Sequence, residues 1–185
     1  LLKRNEIRFY TTALDYVGAT YKRMIIESDK VIPGSNTAIH AISTNDGGVK
    51  VGGLICNDMW GEKEGKVLGR TALYDMKDAG AQLCVHATNG FRGSDIGDKN
   101  TQQLFRDFHE NTLRILSLTG MPIITVDSCN DIYGNEYDGE TSTPSGVINN
   151  GEWLVQAPRT GEQYFYHDFE FDNEFLKNLR DESII

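Results

Sequence analysis

Residues Val51 to Glu62 read VGGLICNDMWGE, an apolar run that ends in a cysteine and passes at once into polar and aromatic residues. A thiolate is a strong nucleophile, and a cysteine placed where a buried strand turns out of the core can meet a substrate and be activated by a nearby cation. Cys56 is therefore the candidate nucleophile, with a small buried packing thiol as the alternative that position alone leaves open. Two residues on, Asp58 is expected to anchor the turn by accepting hydrogen bonds from backbone amides. Trp60 and Phe91 read equally as pocket walls or as core.

Other chemistry-bearing residues are sparse. Cys84 and Cys129 sit in separate apolar stretches and read as packing thiols. Three cysteines, far apart and without CxxC spacing, indicate neither a disulfide framework nor a zinc site, and fit a reducing compartment such as the cytoplasm. The four histidines show no HxH or HExxH spacing, so His86 and His109 are read as structural or pocket-lining. Asp131 to Thr141, DIYGNEYDGET, lacks the D-x-D-x-D-G order of a calcium loop and reads as solvated. No metal and no cofactor are expected.

The elements that must position these residues follow from hydrophobic period. Short apolar runs bounded by turn signals predict strands over Phe9–Tyr16, Thr20–Ile26, Ala38–Ile42, Lys50–Ile55, Gln82–His86, Pro122–Ser128, Ser145–Ile148, Trp153–Ala157 and Gln163–Phe169. Helical spacing predicts one helix over Lys66–Ala79, stopped by Gly80, and a longer one over Gln102–Leu118, stopped by Gly120 and Met121-Pro122. Thr12 with Asp15 could also cap a helix from Ala13 to Ile25, an alternative to the first two strands. Helices alternating with strands, followed by strands joined by Asn and Gly turns (INNGEW, PRTGEQ), describe an α/β layered domain.

The chain has 185 residues, 39% hydrophobic and 24% charged, with 18 basic and 27 acidic residues and a net charge of −9. That composition suits one globular domain, and the negative field disfavours nucleic acid and anionic lipid as partners. No apolar run approaches the roughly 20 residues of a membrane span.

The stretch GGLICNDMWGE resembles the nucleophile motif of the nitrilase, or carbon–nitrogen hydrolase, superfamily, with Gly61-Glu62 where many members have Pro-Glu. Upstream, TTALDYVGATYKRMII resembles the family hairpin that ends in a tyrosine and the catalytic lysine, here Tyr21 and Lys22. ESDKVIPG resembles the segment carrying a second active-site glutamate, here Glu27. Downstream, DAGAQLCVHATNG resembles the strand whose end carries a loop over the pocket, here Thr88 and Asn89. SGVINNGEWLVQAPRTGEQYFYHDFEFD resembles the closing strands. The motifs cover nearly the whole chain in the family's order.

The resemblance implies a four-layer α-β-β-α sandwich, residues 1–185 being a single carbon–nitrogen hydrolase domain with its N-terminal part missing. It implies a Glu-Lys-Cys triad, with Cys56, Lys22 and Glu27 catalytic and the general-base glutamate outside this chain. Glu6, the only earlier glutamate, precedes the wrong motif. Lys3 is a weaker rival to Lys22. The Asn57 amide would help bind the oxyanion, and Trp60 and Asn89 would line the substrate site. The reaction implied is hydrolysis of a linear amide or N-carbamoyl compound through a thioester, in a homo-oligomer. A catalytically inactive scaffold and an acyltransferase-type member, which would need upstream membrane helices, are the rival readings.

Overall fold

A computed structural model describes residues 3–25, 30–34, 38–44, 47–63, 66–89, 99–128, 141, 143–161 and 164–171. Its centre is β4 (Gly47–Ile55), the strand that delivers Cys56. Gly52 and Gly53 decide what can pack on it. A Cβ on Gly52 would lie 2.3 Å from the Met76 sulfur, and one on Gly53 would lie 3.0 Å from the Thr20 Cβ. Bare backbone at these two positions lets a helix approach one face and another strand the other.

The chain opens with a hairpin of β1 (Glu6–Tyr10) and β2 (Tyr16–Tyr21). Then come β3 (Ile39–Thr44), β4, the single turn α1 (Asn57–Trp60) and a small ribbon of β5 (Glu62–Lys63) and β6 (Lys66–Val67). The remainder is α2 (Leu68–Asp78), β7 (Leu83–Thr88), α3 (Lys99–Ser117), β8 (Ile123–Asp127), β9 (Gly146–Asn149) and β10 (Glu152–Gln156). Six strands form one sheet in the order β10-β9-β8-β7-β4-β3. The inner strands β4, β7 and β8 are parallel, and β3, β9 and β10 add antiparallel flanks. Parallel strands joined by helices are the expected outcome of the alternating pattern, because the crossover must travel back over a sheet face.

Each face of the sheet has its own core. On one, Leu54, Cys84, Ile123 and Ile148 meet Ala72, Leu73 and Met76 of α2, and Leu113 and Leu116 of α3. On the other, Val51 and Leu83 pack with Phe9, and Ile7, Val17, Ile42, Val85, Ile124, Phe169 and Phe171 close around them. The architecture is thus mixed α/β, with helices covering one face and the β1–β2 hairpin the other.

The two helices and most strands fall within a few residues of their expected bounds. The amino-terminal region differs. Phe9–Tyr16 turns in its middle, where the Thr11 amide donates to the Asp15 carbonyl at 2.9 Å and the Asp15 amide to Thr11 Oγ1 at 3.1 Å. Asp15, which could have capped a helix together with Thr12, instead pairs with Thr11 to seal a hairpin, because β-branched and aromatic residues on both sides favour strands. The strand expected from Thr20 starts earlier, at Tyr16, and ends at Tyr21. Tyr164 to Phe169 keeps the alternating exposure of a strand but joins no ladder. Phe169 and Phe171 turn inward while Tyr164 and Tyr166 face solvent. Glu27, Phe91, Cys129 and most of the acidic loop at 131–141 lie outside the described residues.

Candidate active site

Cys56 directly follows the last residue of β4, half-buried, with φ 49° and ψ −114°. A residue bearing a Cβ rarely adopts positive φ, and the strain is tolerated only where surrounding contacts hold it. Those contacts come from the neighbouring strand β7 and from the turn that follows Cys56. The Cys56 amide donates to the Ala87 carbonyl at 2.8 Å, continuing the parallel pairing of β4 with β7 by one residue. The Cys56 carbonyl accepts from the Met59 amide at 3.0 Å and lies 3.3 Å from His86 Nε2.

Asp58 closes the turn from below. It is 1% exposed, and its carboxylate accepts from the amides of Arg23 (3.0 and 3.2 Å), Met24 (2.6 Å) and Ile55 (3.2 Å). One side chain therefore joins the end of β4, the turn after Cys56 and the chain that follows Lys22. This is the anchoring role expected of Asp58, with the addition that two of its three partners lie 34 and 35 residues away.

Lys22 comes immediately after β2. Its amide donates to the Asn5 carbonyl at 2.9 Å, and its carbonyl accepts from the Gly34 amide at 2.7 Å. It is 3% exposed, a rare environment for lysine, whereas Lys3 is exposed and forms an isolated bridge with Val31. Burial separates the two lysines that the sequence left as rivals. Asn57 is half-buried at the start of α1, and Asn89 is exposed just past β7.

Trp60 is 8% exposed and stands between two imidazoles, edge-on to His86 at 4.8 Å and stacked on His109 at 4.2 Å. It belongs to the helix-side core. Burial lowers His86 to a pKa of about 3 and His109 to about 4, so both rings are neutral at neutral pH. Cys84, wholly buried, has its thiol pushed up to about 12. A cleft of about 410 Å³ beside the anchor is lined by Arg23, Met24, Ile25, Pro33, Asp58, Thr71, Ala72 and Asp75.

Gly61, the departure from the Pro-Glu pattern, has a local cause. Its amide donates to the Asn57 carbonyl at 2.7 Å, a bond proline could not make, and a Cβ there would lie 1.8 Å from the Met24 sulfur. The contact that sequence reasoning missed is His86 with Cys56. Its only trace in the sequence is that His86 lies near the end of the strand after the cysteine.

Among solved structures, the chain is similar to the carbon-nitrogen hydrolase from Helicobacter pylori G27, with a TM-score of 0.65 at 21% identity, over 87% of this chain and 55% of that one. The chain carries a partial nitrilase fold. An amidase from Nesterenkonia sp. AN1 matches with a TM-score of 0.52 at 17% identity, over 91% of this chain and 57% of that one. That structure shows Michael addition of acrylamide at its active-site cysteine. A second structure of the same amidase, carrying the acetamide moiety of fluoroacetamide on that cysteine, matches with a TM-score of 0.51 at 17% identity, over 79% and 48% of the two chains. The chain thus spans about half the length of the nitrilase-fold proteins it matches. No protein-family model and no curated protein sequence matches it.

Proposed function

We propose that the protein carrying this chain is a thiol-dependent hydrolase of a non-peptide carbon–nitrogen bond, acting on a linear amide or N-carbamoyl compound. The observation that carries the reading is the backbone of Cys56, held at positive φ at the mouth of a parallel strand and pinned by Asp58 to the segment that bears Lys22. Cys56 attacks the carbonyl carbon and forms a thioester as the amine or ammonia leaves. The buried Lys22 ammonium and the Asn57 amide stabilise the oxyanion, a kind of interaction worth a few kcal/mol in the transition state. A carboxylate outside this chain takes the thiol proton and returns it to the leaving nitrogen. Glu27 is the second carboxylate of the site and Asn89 borders the substrate, while Trp60, expected to line the pocket, packs instead against His86 and His109 in the core behind Cys56. The four-layer sandwich and the homo-oligomer belong to the same reading and are supported by the family resemblance, and a cytoplasmic location is supported by the scattered, unpaired pattern of the cysteines.

The test uses the full-length protein, a panel of aliphatic amides and N-carbamoyl amino acids, and ammonia release as the readout. Activity on at least one compound, abolished by Cys56→Ala, is the expected result. Iodoacetamide should label Cys56 and spare Cys84, whose thiol is buried and pushed up to about 12. Turnover that survives Cys56→Ala would overturn the assignment.

A further inference from the structure

We propose that His86 is a positioning residue that aims the Asn57 amide at the reacting oxygen, an inference that rests on the reading of Cys56 as nucleophile. The argument begins with what each imidazole nitrogen can do. A backbone carbonyl only accepts, so the 3.3 Å contact between His86 Nε2 and the Cys56 carbonyl places the ring proton on Nε2. The other nitrogen, Nδ1, is then the acceptor, and the Thr125 hydroxyl at 2.9 Å donates to it. Trp60, edge-on at 4.8 Å, fixes the plane of the ring. His86 and Thr125 face each other in the register of β7 and β8, and His86 is paired with Leu54 of β4. The ring thus belongs to the sheet that presents Cys56.

The consequence follows from peptide planarity. The Cys56 carbonyl and the Asn57 N–H belong to one planar trans unit and point in opposite directions. Holding the carbonyl toward the buried His86 turns the N–H away from the core, toward the side from which a substrate reaches the half-buried thiol. At the positive φ of Cys56 this peptide has no regular strand or helix partner to fix its rotation from the β4 side. Met59 supplies one donor from within the turn, and His86 supplies the donor from the neighbouring strand. A donor pre-aimed at a developing oxyanion is the arrangement that accelerates acyl transfer.

Two probes separate positioning from packing. Acetylation of Cys56 by p-nitrophenyl acetate forms the S–C bond and releases p-nitrophenolate with the electron pair of the broken C–O bond, passing through a tetrahedral oxyanion. Alkylation by iodoacetamide displaces iodide directly and forms no oxyanion. In the full-length protein, His86→Asn can still pair with Thr125 but is too short to reach the Cys56 carbonyl, and His86→Leu lacks both bonds. Both variants should acetylate about tenfold or more slowly, while alkylation changes by less than about twofold. His86→Gln, which places an amide N–H near the Nε2 position, should recover the rate to within about fivefold of wild type. Thr125→Val removes only the bond that sets the tautomer, should show a smaller loss of the same kind, and carries the test if the His86 variants do not fold. Acetylation unchanged in His86→Asn, or acetylation and alkylation falling together, overturns the proposal. If Cys56→Ala acetylates as fast as wild type, the nucleophile reading fails first and the proposal falls with it.

Discussion

Replacing Asp58 should separate the two halves of the candidate site. The carboxylate accepts four hydrogen bonds from three amides, those of Arg23, Met24 and Ile55, at 2.6 to 3.2 Å in a place that is 1% exposed. In Asp58→Asn the oxygen facing Met24 can remain an acceptor, but the new NH₂ group faces the Ile55 amide, so two donors oppose each other and one is orphaned. An orphaned buried donor costs about 1–3 kcal/mol, and the apposed NH₂ adds a second, giving about 2–6 kcal/mol for the amide variant. Asp58→Ala orphans all three amides and should lose about 3–9 kcal/mol, enough to unfold a domain of ordinary stability. Urea and thermal denaturation of the full-length protein followed by circular dichroism measure this, and Asp58→Asn should lower Tm by roughly 4–24 °C. The acetylation rate of Cys56 should fall as well, since the segment bearing Lys22 is no longer tied to the turn. A loss below about 0.5 kcal/mol in both variants would refute the reasoning, because three amides at that depth cannot then depend on Asp58.

Two further perturbations probe the packing around the cysteine. His86 and His109 are held neutral by burial, at about 3 and about 4 against 6.5 for an exposed imidazole, so the unfolded chain takes up protons first as pH falls. Stability should be full above about pH 6.5 and decline toward pH 4, by up to ~1.4 kcal/mol per pH unit for each ring. His109→Phe should flatten that decline between pH 7 and 5, and an equal decline in variant and wild type, by urea denaturation, would show that another group is responsible. Gly61→Ala should destabilise by about 1–3 kcal/mol, because its Cβ meets the Met24 sulfur and, at 2.6 Å, the Asn57 carbonyl. Combined with Met24→Ala, which vacates one of the two contacts, the loss should be smaller than the sum of the single losses.

Much of this arrangement is legible in local pattern. The helical spacing of Leu113 and Leu116, and of Ala72, Leu73 and Met76, reports the face that α3 and α2 bury, and Gly80 and Gly120, with φ of 85° and 77°, mark where each stops. The β9–β10 turn is equally plain in Asn150-Gly151, with φ of 49° and 81°, the positive pair that a tight hairpin needs. Period misleads where it stands in for pairing. Tyr164 to Phe171 alternates because Phe169 and Phe171 cover the hairpin-side core, and alternation records burial of one side without requiring a ladder.

By itself the sequence determined the alternation of strands and helices, the thiol at a strand end, and the run of motifs that resemble those of carbon–nitrogen hydrolases, since each of these is encoded by neighbours within a few positions. Tertiary structure alone decided that β4 lies between β3 and β7, that Lys22 is buried and Lys3 exposed, and that Asp58 and His86 grip the same turn from opposite directions. Those facts join residues about 30 positions apart, across strands whose pairing comes from long-range burial and sheet register. Chain periodicity carries no record of which strand becomes whose neighbour, and the chemistry of Cys56 depends on that choice.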